Sequence, residues 1–388
     1  MIEMPKDHYL KKKDPWRILI IDDSRLQRQV IRDTLLKLNM SITEACDGLE
    51  GLEFFSNNKF DLVLVDIVMP NLDGFGFLER FKDLVKDEFV PVILMTGSDD
   101  LNSKIKGLSI GADDFLVKPF NDKELVARVI SLLRLKSAHS ELYYKNLLIK
   151  SELEYAKRLQ RFIIPTDFTD IEYPCISGKY LPTEDIGGDI FDYYKLDDNK
   201  VGFLIADVTG HGIPAALVMS MSKMIFSVYS NMYQSSSKLL LRVNSEIIEV
   251  LLDDQYITAF YLIYDPQTSQ LRYANAGHCR PLLFRNHTDN VTALDTDGFF
   301  LGIDEETKYQ EKAIKIDRGD RLFLYTDGIS EIKNSHNEEF GEKRLASFLK
   351  KNKEMKGDDF CDSLLTEVDK FSSLDERNDD IAFLNIEF

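Results

Sequence analysis

The sequence predicts a doubly wound α/β domain over residues 16–136, a helical linker over 137–165 and an α+β sandwich over 166–388. In the first part, short apolar runs alternate with amphipathic stretches, which is the order of strands and helices in an α/β sheet. Glycine and proline are absent from residues 136–164, as in one long helix. In the last part, apolar runs recur between turn signals, a pattern typical of antiparallel strands.

Composition narrows the class of protein. The chain has 388 residues and a net charge of −18, which repels nucleic-acid backbones and anionic membranes. No apolar run in the sequence reaches the length of a membrane span, and the first residues lack the apolar core of a signal peptide. The four cysteines are widely spaced. We therefore expect a cytoplasmic protein with free thiols and no nucleic-acid or membrane partner.

The first domain is predicted to contain strands that are each followed along the chain by a helical stretch. The strands are RILIIDD, FDLVLVDIVMP, VPVILMTGS and DDFLVKP, and the last helix starts near Asp122. The runs at 62–65 and 92–95 are apolar on both faces, as buried parallel strands are. Ligands of such sheets bind beyond the carboxyl ends of the strands.

Charged and hydroxyl side chains stand at those strand ends. Asp22 and Asp23 follow the first strand, Asp66 ends another, and Thr96 and Lys118 close the last two. Three carboxylates at one sheet edge repel each other unless a cation neutralises them. An ammonium and a hydroxyl beside them suit a phosphoryl group.

The motifs IIDDS, LVDIVMPNLDG, MTGS and GADDFLVKPF, in this order, resemble those of a response-regulator receiver domain with the chemotaxis-regulator fold. The resemblance implies that Asp66 accepts a phosphoryl group from a sensor histidine kinase or a phosphotransfer protein. It implies a cis Lys118–Pro119 bond and a switch at Phe115 that acts by packing, because this residue lacks a hydroxyl. The other implied contacts are Mg²⁺ held by Asp22, Asp23, Asp66 and the Val68 carbonyl, and phosphoryl oxygens bound by Thr96 and Lys118.

The linker carries an apolar residue at every seventh position: Leu135, Leu142, Ile149, Ala156 and Ile163. Such a helix either packs on its own domain or forms a short parallel coiled coil between two protomers. We favour the coiled coil, and with it a homodimer, because an exposed apolar stripe between domains needs a partner.

Four aspartates of the last domain each end or follow an apolar run and stand near turn residues. They are Asp189, Asp207, Asp327 and Asp379. Oxygen ligands from separate strands suit Mg²⁺ or Mn²⁺ rather than zinc. Two such ions held a few ångströms apart activate water for phosphate hydrolysis. We expect neither a nucleophilic cysteine in a CxxxxxR phosphate loop nor a GxxxxGK[ST] nucleotide loop, and therefore metal-activated water rather than a phosphocysteine or ATP chemistry.

The motifs IGGDIFD, ADVTGHGIPAAL, NAGHCRPLL, LYTDGISE and NDDIAFL resemble those of PPM-type metal-dependent serine/threonine phosphatases of the bacterial sporulation and stress-response subfamily. The resemblance implies that Asp189, Asp207 and the Val208 carbonyl bridge or ligate two Mn²⁺ or Mg²⁺ ions, and that Asp327 and Asp379 each ligate one. The implied substrate is a phosphorylated anti-sigma-factor antagonist.

For other polar residues in these motifs we expect structural roles. His211 and His278 lie in glycine turns, where a structural role is commoner than an acid or metal-ligand role. For Asp192 and Asp380 we prefer hydrogen bonding at strand ends.

The predicted function is a response regulator with metal-dependent protein phosphatase output. A catalytically weak scaffold that sequesters a partner is the alternative, although a scaffold does not need four mutually repelling carboxylates. The GGD triplet is found in diguanylate cyclases, but the TDG and NDD segments do not belong to a cyclase pattern.

Overall fold

The computed structural model describes residues 14–85, 89–97, 101–183, 185–251, 255–372 and 379–388, without the side chains of 101–104 and 198. The chain folds as two compact units that divide between Lys150 and Ser151. Each unit is described by itself.

The first unit is a five-stranded parallel sheet with the strand order β2-β1-β3-β4-β5. The strands are β1 (Trp16–Ile21), β2 (Met40–Ala45), β3 (Leu62–Asp66), β4 (Val92–Thr96) and β5 (Asp114–Val117). The helices are α1 (Arg25–Leu36), α2 (Gly48–Asn57), α3 (Gly74–Leu84), α4 (Leu101–Ile110) and α5 (Asp122–Ile163). The predicted doubly wound α/β fold is confirmed.

Local sequence explains where these elements begin and why the strands lie inside. All residues of β3 and β4 are buried, as their apolar runs predicted. Helices α1, α2 and α3 start at capping residues: Ser24, Asp47 and Asp73 each accept hydrogen bonds from the first turn that follows. The parallel register therefore brings the carboxyl ends of β1, β3, β4 and β5 to one edge of the sheet.

Helix α5 is continuous over 42 residues and ends two residues before Pro165, as the sequence predicted. In the first unit it buries Leu125, Val129 and Leu133 against the sheet. Further along, Leu142 and Ile149 of the seven-residue row are more than half exposed. The helical linker is thus confirmed, while the coiled coil between two protomers stays a prediction.

The second unit is a sandwich of two antiparallel sheets with the strand orders β13-β10-β9-β8-β7 and β12-β11-β14-β15-β6. The first sheet comprises β7 (Ile190–Lys195), β8 (Val201–Val208), β9 (Ile257–Asp265), β10 (Gln270–Ala276) and β13 (Lys312–Lys315). The second comprises β6 (Cys175–Leu181), β11 (Leu282–Arg285), β12 (Asn290–Ala293), β14 (Arg321–Tyr325) and β15 (Ile381–Glu387).

Helices cover the outer faces of both sheets. Helices α6 (Gly212–Ser230) and α7 (Ser236–Ile248) pack on the first sheet, and α9 (Gly341–Lys351) and α10 (Gly357–Phe371) on the second. A short helix α8 (Asp327–Ser330) follows β14. Leu322 and Leu324 of β14 face the core between the sheets, whereas Phe323 and Tyr325 face the outer helices. The predicted α+β sandwich is confirmed.

Among the described helices, α6 is long and apolar enough to cross a membrane by length and composition. One face of α6 buries Ala215, Met219 and Phe226 in the core of the second unit. A core helix passes the same test of length and composition, so this feature is weak support for a membrane span.

Candidate functional sites

The first site lies at the carboxyl edge of the parallel sheet. Asp22 and Asp23 follow β1 and Asp66 ends β3, and one carboxylate oxygen from each lies within 4.8 Å of the others. Asp22 is fully buried, and Asp66 is nearly so. The structure therefore brings together the three carboxylates that the sequence singled out, in a set of oxygen ligands that fits one hard divalent cation.

Lys118 contributes a positive charge to this edge. Its Nζ lies 2.7 Å from a carboxylate oxygen of Asp22 and 2.7 Å from one of Asp66. Burial by itself lowers the pKa of Lys118, but the hydrogen bonds to the two carboxylates outweigh it and raise that pKa. Burial likewise raises the pKa of Asp66 against the effect of Lys118. The lysine thus offsets only part of the charge of the three carboxylates.

The remaining predicted residues of this edge lie nearby. Thr96 is buried at the end of β4, paired with Val117 in the β5 register. The backbone of Val68 reaches the site, since it hydrogen-bonds the Asp66 carboxylate. Phe115 is buried in the core on β5. The Lys118–Pro119 peptide is cis, as the resemblance implied.

The second site lies at one end of the sandwich and takes residues from both sheets. Asp189 precedes β7 and Asp207 lies near the end of β8, whereas Asp327 begins α8 after β14 and Asp379 precedes β15. The four predicted aspartates therefore come from four separate segments. Asp207 hydrogen-bonds Asp189 and is near enough to Asp327 and Asp379 for their charges to act on it, although among the described residues only the first site brings three carboxylate oxygens within 4.8 Å of one another.

Burial and mutual repulsion dominate the electrostatics of this second site. Burial, and then the charges of Asp327 and Asp379, raise the pKa of Asp207 to about 7. Burial and the charge of Asp207 raise the pKa of Asp189 well above its ordinary value. No lysine or arginine among the described residues pairs with any of the four carboxyls. Oxygen ligands from four segments, with Asp189 buried and no lysine or arginine partner among the described residues, fit divalent cations.

Residues other than the four aspartates hold this site in place, and among them Asp380 makes the strand-end hydrogen bonds that the sequence analysis preferred for it. The hydroxyl of Thr326 donates to Asp189 at 2.7 Å, and the Asp380 carboxylate accepts from the backbone N–H of Thr183 at 2.8 Å and of Gly188 at 2.7 Å. The Tyr180 hydroxyl is buried beside Gly187 and finds no acceptor among the described residues. Their only sequence signal was position within, or just before, the motifs that carry the aspartates.

Two glycines of the motifs are required by close packing. A Cβ at Gly187 would lie 1.9 Å from a carboxylate oxygen of Asp380, and one at Gly328 would lie 1.7 Å from the Asp380 carbonyl oxygen. Any side chain there would displace the backbone that carries Asp189 and Asp327.

His278 is a core residue. Its ring nitrogens bond the Thr258 hydroxyl at 2.7 Å and the Tyr325 carbonyl at 3.2 Å. Burial lowers the pKa of His278 to about 4, so the ring is neutral near pH 7. These contacts agree with the structural role preferred for it. Asp192, for which hydrogen bonding at a strand end was preferred, accepts from the Tyr193 N–H and pairs with Lys223 at 2.9 Å.

His211 differs from His278, because it lies at the N-cap of α6 and its charge opposes part of the rise that burial causes in the pKa of Asp379. It is therefore close to the carboxylate site, which leaves a role in binding or proton transfer open to test.

Cys279 and Arg285 have the CxxxxxR spacing of cysteine phosphatases, which we had not expected in this chain. The last four residues of the stretch form β11, so the segment is not a phosphate-binding loop. Burial raises the pKa of Cys279 to about 12, and a protonated thiol is a poor nucleophile.

Comparisons with known proteins match the two units separately. Residues 18–130 match the family described as response regulator receiver domain. Residues 197–388 match the family described as stage II sporulation protein E. The chain thus combines a receiver domain with a SpoIIE-type domain, as the two resemblances implied.

Individual relatives match one half of the chain or the other. A probable transcriptional regulator ycf27 of Cyanidium caldarium is 37% identical over 32% of this chain and 49% of its own. The phosphoserine phosphatase RsbU of Bacillus subtilis is 31% identical over 48% of this chain and 56% of its own. The chain spans about half the length of the curated relatives it matches.

Among solved structures, the SiaA-PP2C domain of Pseudomonas aeruginosa matches 63% of this chain and 98% of its own, with a TM-score of 0.56. At 20% sequence identity this likeness shows the fold.

The metal-free protein should become less stable as the pH rises through the pKa of Asp207. The pKa of Asp207 is 3.8 ordinarily and about 7 in the folded chain, so between these values only the folded state holds the proton. The free energy of unfolding therefore falls with rising pH. With allowance for coupling to Asp189, we expect a loss of about 2 kcal/mol, on the order of 5 °C in melting temperature. The measurement is thermal unfolding in EDTA from pH 5 to pH 8.

The Asp207→Asn variant is the control, because it has no proton to lose and its melting temperature should vary less with pH. Added Mn²⁺ should stabilise the wild type most at pH 8. A wild type and a variant with the same pH dependence would contradict the assignment of a protonated Asp207.

Proposed function

We propose that this protein is a cytoplasmic two-component response regulator whose output is metal-dependent dephosphorylation of phosphoserine or phosphothreonine on a regulatory protein. The observation that carries the proposal is the presence of two separate carboxylate sites in one chain. One has the lysine and threonine that suit a phosphoryl group, and the other has four aspartates that no described lysine or arginine pairs with. The phosphoserine phosphatase RsbU, similar to the second half, supports this substrate class.

In the first domain we assign Asp66 as the acceptor of a phosphoryl group from a histidine kinase or phosphotransfer protein. Asp22 and Asp23, with the Val68 carbonyl, would hold Mg²⁺ beside it. Lys118 already contacts both Asp22 and Asp66 and would bind a phosphoryl oxygen with Thr96. The packing of Phe115 would change on phosphorylation of Asp66.

In the second domain we assign Asp189, Asp207, Asp327 and Asp379, with the Val208 carbonyl, as ligands of two Mn²⁺ or Mg²⁺ ions. When bound, such ions neutralise phosphate charge and activate water for attack at phosphorus. Thr326 orients Asp189 through its hydrogen bond, and Asp380 holds the Gly188 backbone beside it. These contacts preorganise the ligands. The substrate we propose is a phosphorylated anti-sigma-factor antagonist.

The linker offers a route between the domains. Within the second unit, the side chain of Gln160 on α5 bonds the Gly187 carbonyl at 2.7 Å and accepts from its N–H at 3.2 Å. Lys223 on α6 bonds the carbonyl of Ile163, the last residue of α5. The end of the linker helix is thus bonded to the loop that carries Asp189. A rotation of this helix, in a homodimer joined through the seven-residue row, would move that loop.

Replacing Asp327 by asparagine should lower the turnover of para-nitrophenyl phosphate and of a phosphoserine peptide by at least about 100-fold, because a lost ligand charge misplaces a cation. Excess chelator should do the same to the wild type. Steady-state rates of both substrates in Mn²⁺ are the measurement. Asp289→Asn is the control, because Asp289 pairs with Lys350 on the surface. Binding of phosphoprotein without multiple turnovers would favour the scaffold function.

Acetyl phosphate with Mg²⁺ should label the wild-type protein with an acid-stable, base-labile phosphoryl group. Asp66→Ala should abolish this label, because the variant lacks the carboxylate that we assign as the acceptor. Phosphate-affinity electrophoresis measures the labelled fraction. Asp33→Ala, an exposed position on α1, should label as the wild type does. A persistent label in Asp66→Ala would place the acceptor elsewhere.

Replacing residues 138–149 by glycine and serine should retain basal phosphatase turnover and remove its dependence on Asp66 phosphorylation, because a flexible tether transmits no rotation. An insertion of four residues after Asn146 should also uncouple the domains, since it shifts the seven-residue row. An insertion of seven residues restores the row and is the matched control. The measurements are phosphatase rate with and without beryllium fluoride, and mass by light scattering. Regulation that survives the glycine and serine linker in a monomer would exclude this route.

A further inference from the structure

A cavity of about 850 Å³ lies in the second unit beside the carboxylate site. Three segments line it. Leu153 and Lys157 come from the end of α5, Thr183 and Ile186 from the loop that leads to Asp189, and His211 and Ile213 from the turn that follows Asp207 and Val208. The volume is within the range of about 300–1,000 Å³ that is typical of ligand pockets.

The cavity shares two loops with the aspartate site. The backbone N–H of Thr183, in its wall, donates to the Asp380 carboxylate, which also holds the Gly188 N–H next to Asp189. His211, in the opposite wall, acts electrostatically on Asp379. A molecule with its phosphate at the aspartates therefore has its neighbouring atoms near the cavity.

The residues that line the cavity favour an apolar ligand. Most of the side chains around the cavity are aliphatic or proline: Leu153, Pro182, Ile186, Ile213 and Pro214. The two charges, Lys157 and Asp185, pair with each other at 3.3 Å, so neither presents an uncompensated charge to a ligand. Ile213 is 52% exposed although it is aliphatic, and covering it would remove apolar surface from water.

We propose that this cavity binds an apolar side chain of the phosphoprotein substrate, a few residues along its chain from the phosphorylated residue. The inference rests on the proposed function and adds a specificity site to it. An extended segment advances about 3.3 Å per residue, so residues that flank the phosphorylated one reach a cavity that adjoins the aspartates. Because Leu153 and Lys157 belong to the linker helix, a shift of that helix would also reshape the site that selects the substrate.

The test uses the full-length protein in Mn²⁺ and a set of short phosphoserine peptides of alanine and serine. The peptides are identical except for one leucine, placed in turn at each position on either side of the phosphoserine. For the wild type we expect leucine at one position, or at two adjacent ones, to raise kcat/KM about tenfold over the leucine-free peptide. In Ile213→Ser, and independently in Leu153→Ser, this ratio should fall towards one.

Met224→Ser is the matched control, because Met224 is an exposed residue of the same helix and does not line the cavity. It should keep the wild-type ratio. Far-UV circular dichroism checks that each variant is folded. A wild type without preference for leucine at any position would overturn the proposal, and so would a Met224→Ser variant that loses the preference as Ile213→Ser does.

Hydrolysis of para-nitrophenyl phosphate by the wild type, and its loss in Asp327→Asn, reports on the proposed function separately. If that activity is present and no leucine preference exists, the phosphatase assignment stands and the specificity site is wrong. If neither peptide nor small phosphate is hydrolysed, both are wrong.

Discussion

Repulsion among clustered carboxylates is the constraint on which both sites of this protein depend. Each domain gathers aspartates from separate strand ends, and Asp22, Asp66 and Asp189 are buried, where an unpaired charge is costly. In the receiver domain Lys118 meets two of these carboxylates and offsets part of the repulsion. In the phosphatase domain no described lysine or arginine does so, and the pKa of Asp207 rises to about 7 through burial and the charges of its neighbours. The second site therefore has less positive charge to offset its carboxylates, and a bound cation would stabilise it more.

The fold holds the phosphatase carboxylates in place by hydrogen bonds that cross between the sheets. Thr326, after β14, donates to Asp189, before β7, and Asp380, before β15, binds the backbone at Thr183 and Gly188. Thr326 also accepts from the Ala382 N–H of β15 at 3.0 Å. Two sheets whose cores are joined by apolar packing are thus tied at the site by directional contacts. Such ties keep repelling groups at fixed separations, which is what a preorganised ligand set needs.

Sequence patterns were sufficient for the fold and for placing the candidate site residues at strand ends. Runs such as Leu62–Val65 could only be buried strands, and an aspartate that ends such a run must lie at the sheet edge. The long helix followed from the absence of glycine and proline before Pro165. These inferences depend on local periodicity, which the chain carries residue by residue.

The supporting contacts could not be predicted in the same way. Gln160 and Gly187 are 27 residues apart, and Thr183 and Asp380 are 197 apart. Nothing in the local pattern around a glutamine on a helix, or a tyrosine such as Tyr180 on a strand, indicates which loop it will meet. These pairings follow from the packing of helix and sheets. In the CRPLLFR stretch a local pattern would mislead. Its spacing matches a catalytic loop, but its last four residues form a strand.

The linker helix is predicted from a local pattern, and it also makes contacts between residues far apart in the chain. Its first part is buried in the receiver core through Leu125 and Leu133, and its last residues are bonded to the phosphatase domain through Gln160 and Ile163. A continuous helix resists bending and twisting, so a displacement at one end is not absorbed along its length as it would be in a coil. Gln160 binds both polar groups of Gly187, and Gly187 has no room for a side chain beside Asp380. A change in the rotation of the helix must therefore either break these hydrogen bonds or move the loop that carries Asp189.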